Sequence, residues 1–193
     1  MSSATSPGSK FDEKLLELSS RVDAFELYDH AHGLRVAEIA DGIAVKFGMA
    51  EHDRFVLQQA AFLHDLGEMA MNRDYIAAAR PLTDAERFDL HRHPVIGEQD
   101  AAKRGLAKAV QLIIRWHHEW WNGSGYPDAR RGEDIPLAAR ILRVADTYAA
   151  MTADRPHRPA INDTDARKLL IEYTALEFDP AVVKAFLNAE ARA

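Results

Sequence analysis

Residues that could bind a metal ion occur in two adjacent pairs. His64-Asp65 follows an apolar segment, and His117-His118 precedes a glycine-rich stretch. An adjacent imidazole and carboxylate can bind one metal ion together, and the second carboxylate oxygen can reach another ion. Each pair also has a simpler interpretation, since a polar side chain at a helix end is more often a cap or lies in solvent. The pairs predict a metal site only if further ligands join them.

His32, His93 and Asp146 are the further candidates. Asp146 lies among apolar residues of a predicted helix, where a carboxylate is costly to bury unless it is paired or bound to metal. The alternative is a salt bridge from Asp146 to Arg140 or Arg143. The chain contains nine histidines and no cysteine, so any metal must be held by imidazole and carboxylate.

Apolar residues recur every three or four positions along almost the whole chain, which predicts an all-α fold. The longest predicted irregular stretch is 119–134, which contains three glycines and Pro127. Long ordered loops in compact domains are often functional. We predict helices at about 11–25, 29–48, 51–65, 83–91, 94–105, 107–118, 136–153, 163–175 and 180–191.

The length of 193 residues fits a single compact domain. We interpret 1–10 as a flexible N-terminal segment and 11–193 as the domain. With 47% hydrophobic and 28% charged residues and no apolar run that could span a bilayer, we expect a cytoplasmic protein. The net charge of −6 argues against binding of polymeric nucleic acid.

The candidate residues resemble, in order and local context, the HD-GYP branch of the HD-domain phosphohydrolases. The segment HHEWWNGSGYP, followed by IPLAARILRVADTYAAMTADRP, carries most of the resemblance, which runs from about residue 29 to 188. It implies a single HD-type helical domain with a short N-terminal helix and a long irregular loop that holds Gly125-Tyr126-Pro127, the GYP loop.

The resemblance implies hydrolysis of a cyclic dinucleotide, either cyclic di-GMP or cyclic GMP-AMP, by two divalent ions, with iron or manganese expected. Asp65 would bridge the two ions. One ion would be held by His32, His64, Asp65 and Asp146, and the other by Asp65, His93, His117 and His118. A water made acidic by the ions would attack phosphorus.

Further roles follow from the same resemblance. Glu119 would orient a ligand histidine or shape the loop. Gly125 and Tyr126 belong to a loop that binds substrate or docks a signalling partner such as a diguanylate cyclase, and Tyr126 would either stack on a base or pack against the domain. Arg155 is a candidate phosphate ligand, with a solvated loop charge as the alternative.

The chain departs from the family pattern at several positions. Glu68 stands where a lysine usually meets the substrate phosphate, which replaces attraction by repulsion, although Glu68 could turn away, pair with an arginine or join a metal. Ala149 replaces an aspartate, Asn122 another aspartate, and His157 a tyrosine. Tyr28 aligns with the acidic residue of trinuclear members, which favours two ions. These departures leave open a silent docking module that uses the GYP loop, or a diiron oxygenase of HD type.

Overall fold

The computed structural model describes residues 13–155 and 158–189, and this part of the chain is helical. It contains two isolated β-bridges and no strand, which confirms the all-α prediction. The predicted flexible segment 1–10 and the end of the predicted domain, 190–193, lie outside the described residues, as does His157. The α-helices are α1 Glu13–Phe25, α2 His32–Lys46, α3 Glu51–Phe62, α4 Leu66–Met71, α5 Asp84–Leu90, α6 His93–Lys103, α7 Lys108–Trp116, α8 Leu137–Met151, α9 Asp163–Glu172 and α10 Pro180–Ala189.

Two predicted helices end earlier than expected, each just before candidate ligands. α3 stops at Phe62, so His64 and Asp65 lie in a turn, and the unpredicted short helix α4 follows. α7 stops at Trp116 in the same way, which leaves His117 at its C-terminal cap. Because consecutive residues of a helix point about 100° apart, these breaks free adjacent side chains to face one site.

The core lies between α2, α3, α7 and α8, which contact one another. Large side chains with less than 2% exposure fill it, among them Leu57, Ile114 and Leu142. α10 closes the core against α2 and α8, while α1 crosses α2, α3 and α4. No helix among the described residues is long and apolar enough to cross a membrane.

α4 and α6 approach each other closely, because Gly67 has no side chain. A Cβ on Gly67 would lie 1.9 Å from the carbonyl oxygen of His93 and 2.7 Å from the backbone nitrogen of Gly97. Gly67 adopts no left-handed conformation, so close packing rather than a turn requires the glycine. This contact holds the segment with His64 and Asp65 against the start of the helix that carries His93.

Candidate metal centre

The predicted ligands come together in two adjacent groups at one end of the core. Within each group, one nitrogen or oxygen atom per residue lies within 4.8 Å of the corresponding atoms of the other members. His118 is partly buried, and the other ligand candidates are buried. The first group comprises His32, His64 and Asp146, and the second comprises Asp65, His93, His117 and His118.

Asp65 lies between the two groups, with one oxygen directed at each. Oδ2 is 3.0 Å from Nε2 of His64 in the first group. Oδ1 is 3.3 Å from Nε2 of His93 and 3.6 Å from Nε2 of His117 in the second. A carboxylate in this arrangement can contribute to two ion positions at once.

Asp146 faces the first group rather than an arginine. Its Oδ1 lies 3.4 Å from Nε2 of His32 and 3.5 Å from Nε2 of His64. Arg143 approaches the other oxygen only to 4.0 Å, and Arg140 pairs with Asp179. The simple salt-bridge alternative for Asp146 is therefore a minor contact.

Helix ends orient three of the histidines. The last carbonyl groups of a helix lack intrahelical partners, and a nearby histidine can donate to them. His64 Nδ1 lies 2.8 Å from the carbonyl oxygen three residues earlier near the end of α3; His93 Nδ1 has the same contact at 2.8 Å with the end of α5, and His117 Nδ1 at 2.6 Å with the end of α7. A carbonyl only accepts, so each neutral ring carries its proton on Nδ1 and leaves Nε2 free to bind a metal.

His118 is oriented differently, by Arg143 from α8. The Arg143 Nη1 atom lies 2.9 Å from Nδ1 of His118, and its other terminal nitrogen donates to Glu177. A guanidinium can only donate, so Nδ1 accepts and the neutral ring keeps its proton on Nε2. Burial, and then the neighbouring His117 and Arg143, lower the pKa of His118 well below its usual value. Metal binding by His118 therefore requires that this hydrogen bond be broken.

The two aspartates stay ionised although they are buried. Burial raises the pKa of Asp65, but the charge of His64 and the contact with His117 outweigh it and hold that pKa well below its usual range. Burial is likewise outweighed for Asp146 by its contacts with His32 and His64, and its pKa is also well below normal. Burial lowers the pKa of His64, yet the charge of Asp65 raises it well above normal. Since an imidazolium balances these carboxylates, a divalent cation can take its place by displacing the proton.

Several atoms that face the two groups lack a hydrogen-bond partner. They are Nε2 of His32, Nε2 of His64 and Oδ1 of Asp65, all buried; their contacts with one another lack hydrogen-bond geometry. Buried polar atoms without partners cost about 1–3 kcal/mol each. Imidazole nitrogens and carboxylate oxygens together suit first-row divalent ions such as iron and manganese. The residues therefore fit a pair of such ions.

Glu68 lies in the first turn of α4, three residues after Asp65. Burial, followed by the negative charge of Asp65, raises its pKa to about 8. Among the described residues, no arginine or lysine forms an ion pair with it. The replacement of the family's lysine is thus not compensated by a neighbouring cation.

Glu26 is a buried carboxylate that the sequence did not identify. It is 5% exposed, and its Oε2 lies 3.6 Å from Nη2 of Arg155. Burial raises its pKa well above normal, and the charges of Asp65 and Glu68 add to the effect. No sequence signal distinguishes Glu26 from a surface residue, because its neighbours come from distant segments. Arg155, a predicted phosphate ligand, is engaged by this carboxylate.

Glu119 shapes the GYP loop instead of orienting a histidine. Its Oε1 accepts from the backbone N–H of Asp128 at 2.7 Å, and its Oε2 accepts from that of Arg130 at 2.9 Å. Gly125 packs against the backbone of the same loop, since a Cβ there would lie 2.2 Å from the nitrogen of Trp120 and 2.5 Å from the carbonyl oxygen of His118. Close packing therefore accounts for the glycine of this turn.

Tyr126 packs inside the domain, between histidine rings. Its ring is nearly parallel to that of His91, with centroids 4.0 Å apart, and to that of His118, with centroids 4.9 Å apart. The ring of His93 meets it edge-on at 6.4 Å. These contacts favour the packing alternative over stacking on a nucleotide base.

Comparison with known proteins agrees with this arrangement. The HD domain family model matches residues 13–182. A cyclic di-GMP phosphodiesterase of Vibrio cholerae is 32% identical over 93% of this chain and 39% of its own length. A cyclic di-GMP phosphodiesterase response regulator of Xanthomonas campestris pv. campestris is 34% identical over 82% of this chain and 42% of its own length. The chain thus spans well under half the length of these relatives.

A crystal structure of a cyclic GMP-AMP specific phosphodiesterase of V. cholerae has the same fold. It superposes with a TM-score of 0.73 over 93% of this chain and 49% of that chain, at 21% identity. At this identity the likeness concerns the fold alone.

The fold and the site together define a helical domain whose histidines and aspartates can bind metal. The chain belongs to the HD domain family. Its His64-Asp65 pair and its Gly125-Tyr126-Pro127 turn are those of the HD-GYP type within that family, as the sequence resemblance indicated.

Proposed function

We propose that this chain is a metal-dependent phosphodiesterase that hydrolyses a cyclic dinucleotide, either cyclic di-GMP or cyclic GMP-AMP. The observation that carries the proposal is the position of Asp65, with one carboxylate oxygen directed at each of two groups of histidines. The names of the relatives in V. cholerae and X. campestris support the substrate class.

In this proposal His32, His64 and Asp146 hold one ion, His93, His117 and His118 hold the second, and Asp65 bridges them. When bound, two divalent ions supply a nucleophilic water near neutral pH and neutralise charge on the phosphoryl oxygens. The helix-end carbonyls keep Nε2 of three histidines available for that purpose. Burial of these side chains excludes bulk water and strengthens their electrostatic interactions.

Arg155 is the protein cation that we assign to a substrate phosphate. Its guanidinium lies at the edge of the site, where Glu26 now engages it at 3.6 Å. A phosphate that binds Arg155 must compete with that carboxylate, and Glu68 adds a second acidic group nearby. We therefore expect weaker binding of a doubly charged substrate than a lysine at position 68 would give.

The GYP loop is the surface that we assign to a protein partner, for example a diguanylate cyclase. Glu119 anchors its backbone, and Asp128 accepts hydrogen bonds at 2.7 Å from both Arg115 and Trp116. A loop held at both ends in this way needs little ordering when a partner binds.

The test is to purify the protein, determine its bound metals, and incubate it with cyclic di-GMP, cyclic GMP-AMP and their linear products, with and without dioxygen. We expect about two metal ions per chain and hydrolysis that does not need dioxygen. His64→Ala is expected to lose at least one ion and all hydrolysis, while His52→Ala, at an exposed position of α3, serves as the matched control.

Other outcomes would contradict the proposal. Iron-dependent turnover that requires dioxygen would identify an oxygenase. A protein that binds two ions yet cleaves none of these dinucleotides would favour the docking module.

A further inference from the structure

His32 is the one candidate ligand histidine whose ring has no hydrogen bond. Both of its nitrogens are buried and unpartnered, although the side chain is only 1% exposed. His64, His93 and His117 each donate to a carbonyl at a preceding helix end, and His118 contacts Arg143. His32 begins α2 and follows a turn, so no helix end lies behind it.

The backbone of His32 is held, but its ring is not held by polar contacts. Asp23 of α1 accepts a hydrogen bond from the N–H of Gly33 at 3.1 Å, which fixes the start of α2. That bond leaves the side-chain torsions of His32 free. A metal-binding histidine normally has its second nitrogen fixed by a neighbour, because the ring must point in one direction.

An aromatic stack takes the place of the missing hydrogen bond. The ring of Tyr28 lies parallel to that of His32, with centroids 4.0 Å apart and an angle of 6° between the planes. The guanidinium of Arg155 lies 4.0 Å from the centre of the Tyr28 ring. Two groups so close to one ring centre cannot share a face, so Tyr28 is enclosed between Arg155 and His32. Glu26 in turn pairs with Arg155.

We propose that Tyr28 is a positioning residue that orients His32 for metal binding through its ring, and that Arg155 completes the stack. Aromatic stacking and a cation over the outer face each contribute about 0.5–1.5 kcal/mol. The hydroxyl group of Tyr28 is buried without a partner, so it adds nothing to this role. The inference rests on the proposed metal site and assigns one of its ligands a support that differs from those of the others.

The test compares Tyr28→Leu, which removes the stack, with Tyr28→Phe, which keeps it. Tyr173→Leu makes the same change at an exposed tyrosine and is the matched control. Mn²⁺ affinity is measured for each variant by competition with a calibrated chelator, and coupling between two bound ions is followed by electron paramagnetic resonance. Circular dichroism melting establishes that each variant is folded.

We expect Tyr28→Leu to weaken one of two Mn²⁺ sites by about tenfold, the size typical for loss of a group that supports a metal ligand. Tyr28→Phe and Tyr173→Leu should bind both ions as the wild type does. Wild-type affinity in Tyr28→Leu would overturn the proposal. An equal loss in Tyr28→Phe would overturn it too, because the hydroxyl group would then be the active part.

Arg155→Met provides a second test if Tyr28→Leu does not fold. Removal of the outer guanidinium should weaken the same Mn²⁺ site by about threefold, and unchanged affinity would contradict the stack. A wild-type protein that binds two ions without hydrolysing a dinucleotide refutes the proposed function alone. A wild-type protein that binds no ion refutes both.

Discussion

Gly67→Ala should disrupt the metal centre without touching any ligand. The added Cβ would lie 1.9 Å from the carbonyl oxygen of His93 and 2.8 Å from its carbonyl carbon. Carbon atoms in contact are normally about 3.5 Å apart, so α4 and α6 must separate by roughly 1.6 Å. Both partners are backbone, and no flexible side chain can move aside to absorb the clash.

The expected cost follows from that displacement. Overpacking of a well-packed interface costs about 1–3 kcal/mol, and a backbone clash this short lies at the upper end or beyond. For a domain of this size about 3 kcal/mol corresponds to a fall in Tm of roughly 6–12 °C. A shift of His93 by more than 1 Å also lengthens its 3.3 Å contact with Asp65, so the second group should lose metal affinity.

The matched control is Gly42→Ala in α2, where a Cβ would have no atom within 4 Å. Removal of a helical glycine should there stabilise the protein by about 0.5–1 kcal/mol. Thermal melting by circular dichroism, together with metal analysis, measures both variants. If Gly67→Ala melts within about 2 °C of the wild type and binds two ions, the account of the α4–α6 contact is wrong.

Two further substitutions test single groups near the site. Glu68→Lys should raise hydrolysis of a cyclic dinucleotide because it restores a cation beside the phosphate, with Glu68→Gln intermediate; a fall in kcat/KM for Glu68→Lys would contradict the charge argument. Glu119→Gln should lower the free energy of unfolding by about 1.5–3 kcal/mol, since the amide keeps only one oxygen for two backbone donors. Urea denaturation measures this loss against Glu133→Gln, an exposed neighbour for which no change is expected.

The sequence was sufficient for the helical class and for the residues that meet at the site. Apolar spacing determines helices locally, and the pairs His64-Asp65 and His117-His118 lie side by side in the chain whatever the rest of the fold does. The predicted helix through residue 65 was wrong at its end. Apolar spacing continues to Leu63 and Leu66, whereas the turn depends on hydrogen bonds that the spacing does not report.

Only the tertiary structure determined how these ligands are supported. The hydrogen bond from Arg143 to His118 and the stack of Arg155 on Tyr28 join segments that lie 25 and 127 positions apart. Such contacts depend on how helices cross, which composition and period do not specify. Local order therefore predicted which residues could bind metal, and the packing of distant segments decided which nitrogen of each imidazole is available to do so.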